Sequence, residues 1–186
     1  MHISIKMKKN ILQEIEIPED VEASIEDNIL IIKGTEGENK RKFDTNKLIF
    51  EKKNNKIIIG NKKATKREKK AINTSVAHIK NMIQGVQKKF EYILKIVSSH
   101  FPISVELKEN EAIIKNFLGE KIPRKSKIPD GANVKIEVDI IIVTSYDKEI
   151  AGQTAANFEQ TTRIKMKDRR IFQDGIFITN KAGREM

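Results

Sequence analysis

Cysteine and tryptophan are both absent from the 186 residues. Without thiols the chain forms no disulfide and no thiolate metal site, which suits a reducing cytoplasm. Aromatic residues make up 5% of the chain, too few for reading a single strand of nucleic acid by serial base stacking. No apolar run approaches the roughly 20 residues of a membrane span. The N-terminal stretch MHISIKMKKNILQEIEIP lacks the continuous apolar core and small-residue cleavage site of a secretory leader. The expectation is a soluble, intracellular protein.

Catalytic constellations are also lacking. Of the three histidines, His2 lies at the terminus, His78 among lysines and isoleucines, and His100 before Phe101-Pro102. None has the spacing of a metal pair. The carboxylates are scattered over turns and alternating strand faces. No phosphate-binding glycine loop, dinucleotide fingerprint or nucleophile elbow occurs. Gly34-Thr35-Glu36-Gly37 follows a strand and leads into another, so it reads as a hairpin loop rather than an anion nest. No cofactor, metal or small-molecule substrate is expected.

What the chain has in excess is positive charge: 36 Lys and Arg against 26 Asp and Glu, net +10, with a pI near 9.6. Such a balance favours a polyanionic partner, because each neutralised phosphate releases counterions. A basic protein that is merely soluble is the plainer alternative.

The apolar pattern runs through the same plan twice. Val21 to Ile25 alternates, Asp27-Asn28 turns, and Ile29 to Lys33 returns as a buried strand. About 82 residues later Ile103 to Leu107 alternates, Glu109-Asn110 turns, and Ala112 to Lys115 returns; the offset also aligns Gly37-Glu38 with Gly119-Glu120. Further strands are predicted over Lys40–Phe43, Leu48–Lys53 and Lys56–Gly60, then over Val134–Val138, Ile140–Ser145 and Gly175–Thr179. Thr65 and Glu68 form a capping box before a helix whose stripe is Ile72, Val76, Ile79, Ile83 and Val86, with Gly85 placed to stop it. Asp147 caps a shorter helix with Ile150, Ala151, Thr154 and Phe158 on its inner face. The fold class is therefore α+β: two duplicated domains, 1–88 and 89–186, each an antiparallel β-sheet packed against one α-helix. The junction near Lys88 to Tyr92 is neither Pro- nor Gly-rich, so the linker is short and runs into a strand.

Four basic clusters stand out. Met7-Lys8-Lys9 is read as a short mobile arm. The run from Lys62 to Lys70 opens the first helix, where cations oppose the helix dipole. The remaining two are Lys121 to Lys127 and Arg163 to Arg170. Residues 1–90 carry about 20 basic and 12 acidic side chains, and 91–186 about 16 and 14. Total charge favours the first half, but clustering favours the second, and local density within a Debye length decides phosphate contact. Lys121, Arg124, Lys125, Lys127, Arg163, Lys165, Lys167, Arg169, Arg170 and Lys181 are the candidate RNA-binding residues. Asp168 is expected to orient a neighbouring arginine, Asp174-Gly175 to form a hairpin turn, and Phe172 to pack in the core. Gly152, inside the second helix, marks a close approach to either the sheet or RNA.

Gln160, Ile164, Lys167, Arg170, Phe172, Asp174-Gly175, Ile176-Phe177-Ile178 and Lys181 stand at the spacing of a C-terminal motif. That motif resembles the protein-six family of the large ribosomal subunit, in its archaeal and eukaryotic branch. Ile17-Pro18-Glu19-Asp20-Val21, Lys33-Gly34, Asn81-Met82-Ile83, His100-Phe101-Pro102 and Asn116 to Lys121 are similar to the same family, in the same order along the chain. The resemblance implies two duplicated α+β domains in a non-enzymatic, cytoplasmic ribosomal protein. It also implies binding to large-subunit ribosomal RNA near the sarcin–ricin loop and stalk base, where translational GTPases dock, beside neighbouring large-subunit proteins. The main RNA surface would lie on the C-terminal domain. Lys165 to Arg170 stands where bacterial members carry a Tyr-Lys-Gly-Lys-Gly-like segment, so bacterial contacts do not transfer residue by residue. The alternatives from other classes are an RNA-processing enzyme, which would need an acid–base pair or metal carboxylates, and a free RNA chaperone, which would carry long basic tails.

Overall fold

The computed structural model describes residues 9–44, 48–168 and 170–186. The chain divides into two compact units, Met1–Lys88 and Lys89–Met186. In the first, six strands precede one helix: β1 (Lys9–Glu16), β2 (Glu22–Glu26), β3 (Ile29–Gly34), β4 (Gly37–Lys42), β5 (Ile49–Lys53), β6 (Lys56–Ala64) and α1 (Lys66–Gln87). They form two three-stranded antiparallel sheets, ordered β1-β6-β5 and β2-β3-β4. The expected single sheet is thus two small ones that share a core with the helix. Leu30, Ile32, Ile57, Ile59, Ile72 and Ile79 are fully buried there. Each such side chain contributes roughly 1.5–3 kcal/mol by leaving water.

Lys9 does not belong to a mobile arm: it opens β1 and pairs opposite Ala64. Met7 and Lys8 lie outside the described residues. The alternation in NILQEIE is that of a half-buried strand. Gly60 admits this pairing, since a Cβ there would come within 2.3 Å of the Ile11 carbonyl oxygen.

α1 begins as its sequence dictates. The Thr65 backbone N–H donates to Glu68 Oε2 at 2.9 Å, and the Arg67 N–H donates to Thr65 Oγ1 at 3.4 Å. Gly85 does not stop it: the helix continues to Gln87, with the Lys88 N–H closing on the Gln84 carbonyl at 2.9 Å. The reason lies in the β3–β4 hairpin, where a Cβ on Gly34 would collide with Val86 at 2.8 Å. The bare glycine lets Val86 approach, and the Val86 carbonyl then accepts from the Glu36 N–H at 2.9 Å and Thr35 Oγ1 at 3.4 Å. An orphan helix-end acceptor is satisfied by the hairpin, and the Gly-rich loop is accounted for as packing.

The second unit repeats the order: β7 (Phe90–Val97), β8 (Ser104–Lys108), β9 (Glu111–Lys115), β10 (Arg124–Lys127), β11 (Asn133–Glu137), β12 (Ile140–Ser145) and α2 (Lys148–Thr161). It then adds β13 (Gly175–Lys181) and β14 (Arg184–Glu185). The sheets are β10-β9-β8 and the larger β11-β12-β7-β13-β14, all antiparallel. Tyr92, Leu94, Ile114, Phe117, Ile141 and Phe158 fill the core. Asp147 caps α2 by accepting from the Glu149 N–H at 2.8 Å. Gly152 faces the sheet: a Cβ would lie 3.3 Å from the Tyr92 hydroxyl. Packing therefore explains this helical glycine. β13 has no counterpart among the described residues of the first unit; it joins β7 on the side away from β12 and carries the chain from the second helix back into the sheet.

Candidate nucleic-acid interface

The strand β10 reads Arg124-Lys125-Ser126-Lys127, and its period of two sorts the four side chains. Lys125 and Lys127 are exposed, Ser126 is buried, and Arg124 is half-buried. Arg124 is therefore committed inward. Its Nε donates to Glu120 Oε2 at 2.8 Å and its Nη2 to Glu120 Oε1 at 2.5 Å, a bidentate pair. Nη1 donates to the carbonyls of Thr161 at 2.7 Å and Arg163 at 3.3 Å. The guanidinium also lies 4.2 Å above the Phe117 ring centroid. The hydrogen bonds from Arg124 hold the Glu120 carboxyl below the usual carboxylate range against the opposing effect of burial, with a smaller contribution from Lys167.

This one side chain ties the two basic clusters together, because Arg163 opens the run that follows α2. Arg163, Lys165, Lys167 and Arg170 are all exposed. Met166 takes a left-handed φ of 57°, turning the chain so that Lys167 Nζ stands 4.6 Å over the Phe172 ring. Asp168 stabilises the next bend by accepting from the Arg170 backbone N–H at 2.9 Å; its carbonyl accepts from the N–H groups of Ile171 and Phe172. It thus orients Arg170 through the main chain. Arg169 lies outside the described residues.

Two expectations are corrected here. Phe172 is half-buried, not a core residue; its ring stacks at a tilt on His100, 5.0 Å between centroids, with Lys167 against it. It precedes β13, so the strand alternation that buries Ile176 does not extend to it. Asp174 forms no hairpin turn. It is 1% exposed and accepts from the N–H groups of Ser99 at 2.6 Å and His100 at 3.0 Å, and from His100 Nδ1 at 2.6 Å. Burial pushes its carboxyl pKa up, but the bonds from His100 and Ser99 outweigh this and hold it below the ordinary value. The carboxylate pins the end of β7 to the start of β13.

The remaining candidates separate by position. Lys121 is exposed in the segment before β10. Lys125 pairs with Glu111 at 3.2 Å across the surface, an ion pair of little energetic weight. The Lys127 carbonyl accepts from Asn157 Nδ2 of α2 at 2.9 Å, leaving its ammonium outward. Lys181 is not brought to the others. It closes β13 opposite Tyr92, whereas the basic run enters that strand at Gly175, roughly 20 Å away at strand rise. A groove of about 620 Å³ opens beside the run, between the end of α2 and the start of β13. Sequence reasoning missed it: apart from Val97 its walls come from Glu159 to Phe177, but the turn that folds this stretch back from α2 into β13 is not written in any local pattern.

In the first unit Lys66, Lys69 and Lys70 are exposed on the opening turns of α1. His78 is occupied with Arg41, Nη2 to Nε2 at 3.3 Å, and His2 lies outside the described residues. Among the described residues no group of His, Cys, Asp and Glu is placed to hold a metal ion, and no helix is long and apolar enough to cross a membrane.

The fold is a duplicated α+β arrangement, and its second unit carries exposed cations on β10 and on the segment after α2. A family model described as Ribosomal protein L6 matches residues 17–89 and again 101–175. The large ribosomal subunit protein uL6 of Methanobrevibacter smithii is 43% identical over 171 residues, covering 92% of this chain and 96% of the relative. That of Nanoarchaeum equitans is 48% identical over 181 residues, covering 93% and 94%. That of Methanococcus vannielii is 41% identical over 174 residues, covering 94% and 96%. The chain belongs to the ribosomal protein L6 family, a family of structural proteins and not of enzymes.

Proposed function

We propose that this chain is a structural constituent of the large ribosomal subunit and works in the cytoplasm as part of the ribosome. Its second unit seats on folded ribosomal RNA near the sarcin–ricin loop and the stalk base, beside neighbouring large-subunit proteins, and supports the region where translational GTPases dock. Family membership supports the assignment to the subunit; the finer placement rests on the resemblance of the C-terminal motif. The observation that carries the RNA-binding surface is Arg124, which joins the 3₁₀ turn at Phe117–Gly119, β10 and the segment after α2. Arg124 brings Arg163, and the segment that carries Lys165, Lys167 and Arg170, against β10, while Lys125 and Lys127 project from the opposite face of that strand and Lys121 precedes it. Exposed cations at fixed spacing give register on a phosphate backbone as well as affinity. Arg124 acts as a brace rather than a phosphate ligand, and Lys181 stands apart at the periphery.

Hydroxyl-radical footprinting of the complete large-subunit RNA with the full chain tests this reading. Protections should concentrate at the sarcin–ricin loop and stalk base. They should weaken when Lys165, Lys167 and Arg170 are changed to Ala, with the thermal melt unchanged. Protections elsewhere, or none, would refute the placement.

A further inference from the structure

The 620 Å³ groove in the second unit has a composition that a phosphate-binding surface does not need. Its walls include Val97, Ile164, Phe172 and Phe177. Phe177 is 38% exposed on β13, and its ring folds over Gly175, where an added Cβ would lie 3.0 Å from the ring edge. The missing side chain gives this aromatic face room to lie along the strand. Phe172 is held in place by His100 and Lys167. In a chain with 5% aromatic residues, two of them line one open groove beside the cations that follow α2.

The polar rim is divided. Arg163 stands on it, with Lys165 and Lys167 just beyond in the chain, while Glu159 and Gln160 close α2 on the same groove. Glu159 is exposed and would repel a phosphate, so the group facing it must bring hydrogen-bond donors. Asp174 also lines the groove, but its oxygens already accept from Ser99 and His100. An aromatic face, a carboxylate acceptor, an amide edge and a flanking arginine match the parts of one nucleotide: base plane, exocyclic amine, base edge and phosphate.

We propose that this groove receives a single unstacked nucleotide of the bound RNA. Its base lies on Phe177, an amino-bearing edge turns to Glu159 and Gln160, and its phosphate turns to Arg163. This rests on the reading of the chain as a ribosomal RNA binder and adds base-specific recognition to a backbone grip.

The test compares Phe177→Ala, Phe177→Leu and Glu159→Gln with the unaltered full chain, using complete large-subunit RNA. Phe177→Leu keeps an apolar wall but removes the π face, and circular dichroism with thermal melts verifies each fold. Phe177→Ala should weaken binding roughly 5- to 150-fold, the range of one base–aromatic stack. Phe177→Leu should recover only part of this, and the slope of log affinity against log salt should stay unchanged because the phosphates remain neutralised as before. Base-specific probing with dimethyl sulfate and a carbodiimide should show one base shielded by the unaltered protein and reactive with Phe177→Ala and Glu159→Gln, while hydroxyl-radical protections persist. Unchanged affinity and base reactivity in folded Phe177→Ala, with the backbone footprint intact, would overturn the groove and leave the RNA-binding reading standing. An absent backbone footprint with the unaltered chain would overturn both.

Discussion

Single side chains in this protein divide into those that build the surface and those that form it, and charge alone does not tell them apart. Arg124 and Lys125 are neighbours in one basic cluster, yet the first is 24% exposed in its side chain and the second 64%. Arg124→Ala would leave Glu120 and two carbonyls without their donor. It should lower the stability of the second unit by about 2–3 kcal/mol, the scale of hydrogen bonds to charged groups. Arg124→Lys should restore little, since an ammonium cannot fork. Lys125→Ala should stay within about 0.5 kcal/mol. Thermal melts of the three variants check this; equal, small effects would show that Arg124 is no brace. Asp174 gives a pH signature. Its pKa is held below the unfolded value, so its contribution is complete above about pH 4 and fades as pH falls through the folded pKa. Asp174→Asn should therefore be clearly less stable than the unaltered chain at neutral pH, and the gap should close in strong acid. A gap that persists at the lowest pH would assign the loss to packing rather than to the charge.

Elements are legible in the sequence wherever the pattern is local. The hairpins β2–β3 and β8–β9, the capping box at Thr65 and the Asp147 cap all follow from residues within a few positions of one another. What escapes needs partners distant in the chain. β1 alternates along NILQEIE, but its partner β6 comes after four intervening strands, so the pairing is not a local signal. Gly85 reads as a stop because the relation of Gly34 to Val86 is invisible along the sequence. Phe172 and Asp174 depart from expectation because they precede β13, where strand periodicity no longer applies. The partners of Asp174, Ser99 and His100, also sit about 74 residues earlier. Of the candidate site, the exposed lysines are readable from charge, but the inward turn of Arg124, placed by its charge among the RNA-binding candidates, shows only in its bonds to Glu120, Thr161 and Arg163. The groove is not readable at all. The corrected place of Phe172 changes its expected mutational cost: half-buried and stacked rather than enclosed, Phe172→Ala should cost about 1–2 kcal/mol, below the roughly 3–5 kcal/mol of a core phenylalanine. Chemical denaturation would settle it, and a destabilisation of about 4 kcal/mol or more would return Phe172 to the core.

At the scale of the whole molecule, duplication produced two units with unlike surfaces. Each has its own buried cluster, and the division falls at Lys88 and Lys89. The first unit has the larger excess of basic residues, including the exposed cations from Lys62 to Lys70. Surface ion pairs do not separate the two, since Lys33 and Lys40 meet Glu38 in the first as Lys115 meets Glu106 and Lys125 meets Glu111 in the second. The second unit gathers its cations on segments tied together by Arg124 and adds β13. If clustering governs RNA affinity, residues 89–186 alone should hold large-subunit RNA within about threefold of the full chain at matched salt. Residues 1–88 should bind far more weakly despite their greater net charge. Changing Arg163, Lys165, Lys167 and Arg170 to Ala in the full chain should reduce the salt slope by roughly one unit for each phosphate no longer neutralised. Filter binding over a salt series decides between the two halves. Tighter binding by residues 1–88, or an unchanged slope in the fourfold variant, would mean that total charge rather than its grouping grips the RNA, and would move the interface to the first unit.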